Sequence, residues 1–89
     1  MAVKLRFLGS LSIIAGSKVI EVKLNDGDTV LTVVERVAKS YNKVELMKRI
    51  FYKGGGLGVN LLLNERPCDA DEKVNDKDEI CIMSPISGG

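Results

Sequence analysis

Val3, Leu5 and Phe7 alternate with Lys4, Arg6 and Leu8. A period of two marks a strand with one buried face, so Val3 to Leu8 is predicted as the first strand. Gly9-Ser10 breaks the pattern, and Ala15-Gly16-Ser17-Lys18 carries a second turn signal. Leu11, Ile13 and Ile14 lie between and must pack somewhere, but they show no clear period. Alternation resumes from Val19 to Leu24, with Ile20, Val22 and Leu24 in one phase. Two such runs joined by one connection predict an antiparallel hairpin.

Asn25-Asp26-Gly27-Asp28 is a turn cluster, and Thr29 follows as the expected N-cap of a helix. Val30, Val33, Val34, Val37, Ala38 and Tyr41 recur at helical spacing, while Glu35, Arg36 and Lys39 take other positions on the wheel. The valines lower helix propensity, so burial of the stripe must drive this helix. Thr32-x-x-Glu35 also fits a capping box and would start the helix three residues later. Thr29 is the better cap because it leaves Val30 on the apolar stripe. Val44, Met47, Ile50 and Phe51 predict a shorter helix from about Lys43 to Tyr52, ended by Gly54-Gly55-Gly56. That glycine run lacks the Lys-Ser/Thr ending and the preceding strand of a phosphate loop, and reads as a linker.

Val59 to Leu63 is an apolar run, and Asn64-Glu65-Arg66-Pro67 turns the chain. Asp69 to Lys73 is polar, Val74 is a lone apolar anchor, and Asn75-Asp76-Lys77-Asp78 is another turn. Glu79 to Met83 is the last strand, with Ile80 and Ile82 inward and Cys81 outward. The order is two strands, a helix, then two strands. One apolar stripe and one apolar face per strand predict a two-layer α+β domain, a mixed sheet over one main helix. Hairpin, helical crossover and late strands are the order of the β-grasp fold. Pairing the first and last strands in parallel would put Phe7 and Ile82 under the same helix. The chain would then leave the sheet at one edge, giving a domain over residues 1–83 and an exposed tail over 84–89.

The chain has 89 residues, 45% of them apolar, and a formal charge of +1. Near-neutral charge points to neither nucleic acid nor an anionic membrane as partner. Aromatics are only 4% and there is no Trp, which disfavours a base-stacking surface. No apolar run approaches the ~18 residues of a membrane span, and Met1 to Arg6 lacks a signal-peptide core, so a cytoplasmic location is expected. Cys68 and Cys81 form no Cys-x-x-Cys pair and are expected as free thiols. The sequence contains no His, so it offers no Ser-His pair and no Cys-His metal cluster. Acidic residues crowd Asp69 to Glu79, and Lys43, Lys48, Arg49 and Lys53 crowd another stretch. Solvated faces account for such runs, and partner steering is the sharper reading.

The chemistry concentrates at the end, Ser84-Pro85-Ile86-Ser87-Gly88-Gly89. Glycine lacks Cβ, so a diglycine end threads a narrow slot and presents an unhindered terminal carboxylate. Pro85 stiffens the tail by fixing φ, and Ile86 is an aliphatic side chain with no core to join.

In these features the chain resembles the ubiquitin-like sulfur carriers, and among them the small subunit of molybdopterin synthase (MoaD-like). The residues concerned are Val3-Lys4-Leu5-Arg6-Phe7-Leu8-Gly9, Ala15-Gly16, Gly27-Asp28-Thr29-Val30 and Leu61-Leu62-Leu63-Asn64-Glu65-Arg66, then Asp76-Lys77-Asp78-Glu79-Ile80 and Pro85-Ile86-Ser87-Gly88-Gly89. Ser84 stands where the family has a first proline, and Lys77 where it has a glycine. Lys43 to Leu57 is longer than in compact bacterial carriers and is similar to archaeal modifier-type relatives.

The resemblance implies that an E1-like adenylating enzyme joins Gly89 to AMP at the expense of ATP. Sulfur then replaces AMP, giving a Gly89 thiocarboxylate that serves the large synthase subunit and a pterin precursor. It makes Gly89 and Gly88 the reacting end, and Leu8, Pro67, Met83, Pro85 and Ile86 the partner contacts. Alternation independently places Leu8 and Met83 opposite the core-facing Phe7 and Ile82. No cofactor or metal is expected on the chain itself. A ubiquitin-like modifier joining Gly89 to target lysines, a thiamine-type carrier and a non-covalent β-grasp binding module are the other readings.

Overall fold

The computed structural model describes residues 1–41 and 58–83. The helix expected from Lys43 to Tyr52 and the tail from Ser84 to Gly89 lie outside the described residues. Strands β1 (Ala2–Phe7), β2 (Val19–Lys23), β3 (Asn60–Leu63), β4 (Arg66–Pro67) and β5 (Glu79–Met83) form one mixed sheet in the order β2-β1-β5-β3-β4. Helix α1 (Ser10–Ala15) sits between β1 and β2, and α2 (Val30–Tyr41) follows β2. This is the ubiquitin-like β-grasp arrangement expected from the order of elements.

β1 and β5 run parallel, with Leu5 opposite Ile80 and Phe7 opposite Ile82. β1 pairs antiparallel with β2, Val3 facing Val22 and Leu5 facing Ile20. β3 pairs antiparallel with β5, Leu61 facing Ile82 and Leu63 facing Ile80. One phase of every long strand therefore lands on the same face and meets the stripe of α2. Val30, Val33, Val34, Val37 and Ala38 are all buried there. Burying a valine contributes about 1.5–3 kcal/mol, against a propensity cost of at most about 0.7, so packing decides the helix.

Three expectations need correction. Arg66-Pro67, read as the end of a turn, form strand β4, and the connection between β1 and β2, left without an element, is a helix. Leu11 and Ala15 are buried one turn apart, Ile14 packs against the core, and Gly16 (φ 78°) closes α1 in the left-handed region. Six residues are too few for a readable period. Thirdly, β5 lies in the middle of the sheet between β1 and β3. The chain thus leaves from the end of a central strand rather than from a lateral edge.

The start of α2 is where Thr29 was expected to place it. The Thr32 amide donates to Thr29 Oγ1 at 3.3 Å, and the Thr29 amide donates to Thr32 Oγ1 at 2.8 Å. This is a reciprocal capping pair with Thr, not Glu, at the third position. The rival box at Thr32 and Glu35 is not used. The amides of Val30 and Leu31 donate to the carbonyls of Glu72 and Ala70 at 3.0 and 2.9 Å. These bonds satisfy two otherwise orphaned helix donors and tether the polar 69–73 segment. Val74 is the buried anchor, its amide donating to the Asp28 carbonyl at 3.1 Å.

Asn25-Asp26-Gly27-Asp28 and Asn75-Asp76-Lys77-Asp78 are closed in the same way. In each, the Asn amide donates to the carboxylate of the final Asp, at 2.8 Å to Asp28 and 2.7 Å to Asp78. The third residue takes positive φ in both, 81° at Gly27 and 70° at Lys77. Lys77 therefore occupies a conformation that glycine adopts without strain.

Candidate functional site

The sheet face away from α2 carries the other phase of each strand. Arg6 lies beside Cys81, Cys81 beside Leu62, and Leu62 beside Pro67, forming one row across four strands. Met83 lies one step further along β5, opposite Asn60. Leu8 extends the β1 ladder by one bond, its amide donating to the Ile82 carbonyl at 3.0 Å. Leu8 and Met83 thus fall at the end of β5 from which residues 84–89 continue. Both are half-buried, and Pro67 is exposed.

Pro67 and Met83 line one open groove of about 510 Å³, together with Val59, Leu62, Cys68 and Asp69. Leu8 does not line it; Leu8 lies across β5, on the β1 side. The structure therefore brings two of the three expected domain contacts into one groove and puts the third on the far flank of the same strand end. Pro85, Ile86, Gly88 and Gly89 lie outside the described residues.

Cys81 belongs to this outer face, as alternation predicted, but it is only 5% exposed. Its neighbours cover it. Arg6 Nε and Nη2 donate to Glu79 Oε1 and Oε2, both at 3.4 Å, and Cys81 Sγ lies 3.8 Å from Glu79 Oε1. The Arg6–Glu79 fork forms a roof over the thiol. It could not be read from the sequence, because the partners are joined only by the parallel register of β1 and β5.

Both cysteines are free thiols. Burial pushes the Cys68 thiol pKa up, and Glu72 and Asp69 add to it. Burial pushes Cys81 up as well, with Glu79 adding and Arg6 opposing. A raised thiol pKa disfavours the thiolate, so neither cysteine is set up as a nucleophile. Among the described residues, no group of His, Cys, Asp or Glu side chains is arranged to hold a metal ion. Among them, too, no helix is long and apolar enough to cross a membrane.

The described residues thus hold an open groove beside the end of β5 and no group arranged to hold a metal ion. The comparison with known families supplies what this geometry alone does not. A family model described as the ThiS family matches residues 5–89. The chain belongs to the ThiS family.

This is a family of ubiquitin-like sulfur carriers and modifiers, and solved structures agree. The small archaeal modifier protein 1 (SAMP1) from Methanosarcina acetivorans is 27% identical, with TM-score 0.80, covering 99% of this chain and 96% of that one. A putative molybdopterin converting factor, subunit 1, from Pyrococcus furiosus is 25% identical, with TM-score 0.78, covering 97% and 99%. A chain in the complex of subunits 1 and 2 of molybdopterin-converting factor from Helicobacter pylori 26695 shares the fold at 23% identity and TM-score 0.63, covering 100% of both chains. No curated protein sequence matches significantly. Within this ThiS-family chain, the matched residues run through the end of β5 and on to Gly89.

Proposed function

We propose that this ThiS-family protein is a covalent carrier whose Gly89 carboxylate is the reacting group. A carboxylate resists nucleophiles because of its charge and its poor leaving group. Attack of the Gly89 carboxylate on the α-phosphate of ATP, in an E1-like partner, releases pyrophosphate and gives an acyl-adenylate. Hydrosulfide then attacks the Gly89 carbonyl carbon, the C–S bond forms as the C–O bond to AMP breaks, and the Gly89 thiocarboxylate, AMP and a proton are left. In our reading the sulfur passes to a pterin precursor in the large subunit of a molybdopterin synthase, this chain being the small subunit. The globular domain, residues 1–83, docks through the Leu8, Pro67 and Met83 face. Pro85 and Ile86 guide the tail over residues 84–89 into the partner, and Gly88 permits the close approach.

The observation that carries this reading is the family match through Gly89, so that the diglycine falls inside the matched region. Intact-mass spectrometry tests it. Incubation with the adenylating enzyme of the source organism, ATP and a sulfur donor should exchange one oxygen of the C-terminus for sulfur. Removing Gly88 and Gly89 should abolish the exchange and leave the fold intact. No exchange with an enzyme active on another carrier would overturn the reading.

The likeness to an archaeal modifier protein, at 27% identity, supports a second outcome of the same activation. There, a target lysine attacks the activated Gly89 and forms an isopeptide bond. Immunoblots of a tagged strain separate the two: a ladder of conjugates for the modifier, a single band for the dedicated sulfur carrier.

A further inference from the structure

The described sheet is bounded by β2 on one side and β4 on the other. β4 is two residues long and includes Pro67, which has no amide to donate. β2 is five residues long and carries the longer edge. The ladder fixes which of its backbone groups are free. The Phe7 amide donates to the Lys18 carbonyl at 2.8 Å, and the Leu24 amide donates to the Met1 carbonyl at 3.0 Å. Lys18 and Leu24 thus turn their backbone groups toward β1, and by alternation so do Ile20 and Val22. Val19, Glu21 and Lys23 turn theirs outward. The Lys23 carbonyl agrees with this phase, since it accepts from Arg36 Nη1 at 3.0 Å and not from β1. A carbonyl has two lone pairs, so that bond leaves room for a second donor.

An unpaired edge is a template for another strand, and the charges along this one select the strand. Lys18, Glu21, Lys23 and Asp26 are all exposed. Two copies of β2 pairing antiparallel must set outward residues opposite outward residues, so the two-fold axis passes through a residue and not between two. An axis through Glu21 or Lys23 opposes like charges, which is destabilising. An axis through Val19 or Ile20 leaves Glu21 opposite an uncharged residue, Ser17 or Val19. An axis through Val22 sets each Glu21 opposite the other copy's Lys23 and brings Lys18 level with the other copy's Asp26. Every charge of the edge then meets its opposite. We propose that β2 pairs with β2 of a second copy of this chain about a two-fold axis at Val22, merging the two sheets. Glu21 and the second copy's Lys23 exchange both backbone bonds, and Glu21 lies between that lysine and Lys4 of its own β1. The groove lined by Pro67 and Met83 belongs to the opposite side of the sheet and stays open. The pairing goes beyond the carrier reading and holds whatever Gly89 reacts with.

The test measures self-association of the full chain by sedimentation equilibrium, up to about 1 mM because one strand pair is smaller than the ~1,200 Å² of a stable interface. A monomer–dimer equilibrium should appear and weaken as salt is raised. Hydrogen exchange at the outward amides of Val19, Glu21 and Lys23 should slow as concentration rises, while the Val22 amide, already bonded to β1, should not change. Glu21→Lys or Lys23→Glu alone replaces two attractive pairs by two repulsive ones and should weaken the dimer at least about tenfold. The double swap Glu21→Lys with Lys23→Glu restores opposite charges in this register alone and should recover the dimer. Both positions are exposed, and an unchanged spectrum of the core amides establishes the fold of each variant. A monomer at every concentration, single reversals without effect, or a double swap that fails to recover association would overturn the proposal. So would concentration-dependent protection confined to another strand. Conversion of Gly89 is measured separately by mass, and its failure counts against the carrier reading and not against the dimer.

Discussion

Arg36 Nη2 donates to Asp28 Oδ1 at 2.6 Å, joining the turn before α2 to a residue two helical turns further on. Asp28 is 6% exposed and is the one buried charged residue among those described. Its other oxygen accepts from the Asn25 amide at 2.8 Å, and Thr32 Oγ1 lies 3.1 Å from Oδ1. Arg36 also reaches the Lys23 carbonyl at 3.0 Å, tying the helix to the end of β2. The hydrogen bond from Arg36 holds the Asp28 carboxyl below the usual carboxylate range, against the opposing effect of burial.

This pair has a pH signature. A depressed folded pKa stabilises the fold above the unfolded value of about 3.9, and the contribution is lost as pH falls through the folded value. Asp28→Asn should cost about 1.5–3 kcal/mol at pH 7, the range for hydrogen bonds to charged groups. It should also flatten the acid limb of stability below about pH 4. Denaturant melts from pH 2 to 7 check both. An acid limb as steep as in the parent would remove Asp28 from the account.

Lys77 holds φ at 70° in the turn before β5. A side chain there costs about 1–2 kcal/mol, partly offset by the entropy glycine loses on folding. Lys77→Gly should therefore stabilise by up to about 1 kcal/mol, raising Tm by a few degrees in a domain of this size. Lys77→Ala keeps the Cβ and should gain nothing. Thermal melts of the pair decide it.

Phe7 and Ile82 face each other across the parallel β1–β5 pair, and both are almost wholly buried. Ile82→Val should cost about 0.5–1.5 kcal/mol and Phe7→Ala about 3–5. Equilibrium denaturation gives these values. The larger loss is comparable to the lower end of total stability for a small domain, so Phe7→Ala should leave a measurable unfolded population.

The two thiols should differ in access but share a raised pKa. Cys68 is half-buried, whereas Cys81 lies under the Arg6–Glu79 fork. Cys68 should alkylate first at pH 7.5, and both should react more slowly than a free cysteine and accelerate as pH rises. Arg6→Ala should open the roof and speed modification of Cys81 specifically. Peptide mapping after timed exposure to iodoacetamide follows each site.

Alternation along residues 3–8, 19–24 and 79–83, the apolar run 59–63 and the valine spacing from Val30 were enough to place four strands, one helix and their common face. Those signals are local, since a strand or helix period needs only its own residues. The Gly-Gly end and the Pro85-Ile86 approach to it are readings of the sequence alone, and they lie outside the described residues. Other features had no local signature. Helix α1 is shorter than two turns, so Leu11, Ile14 and Ala15 are too few to show a period. Nothing in the chain order announces that Glu79 roofs Cys81 with Arg6, or that Pro67 and Met83 share a groove while Leu8 flanks it. Those relations follow from the register of β1 on β5 and of β3 on β4. Register is decided by which apolar faces fit together beneath α2, a collective property of packing that no single segment encodes.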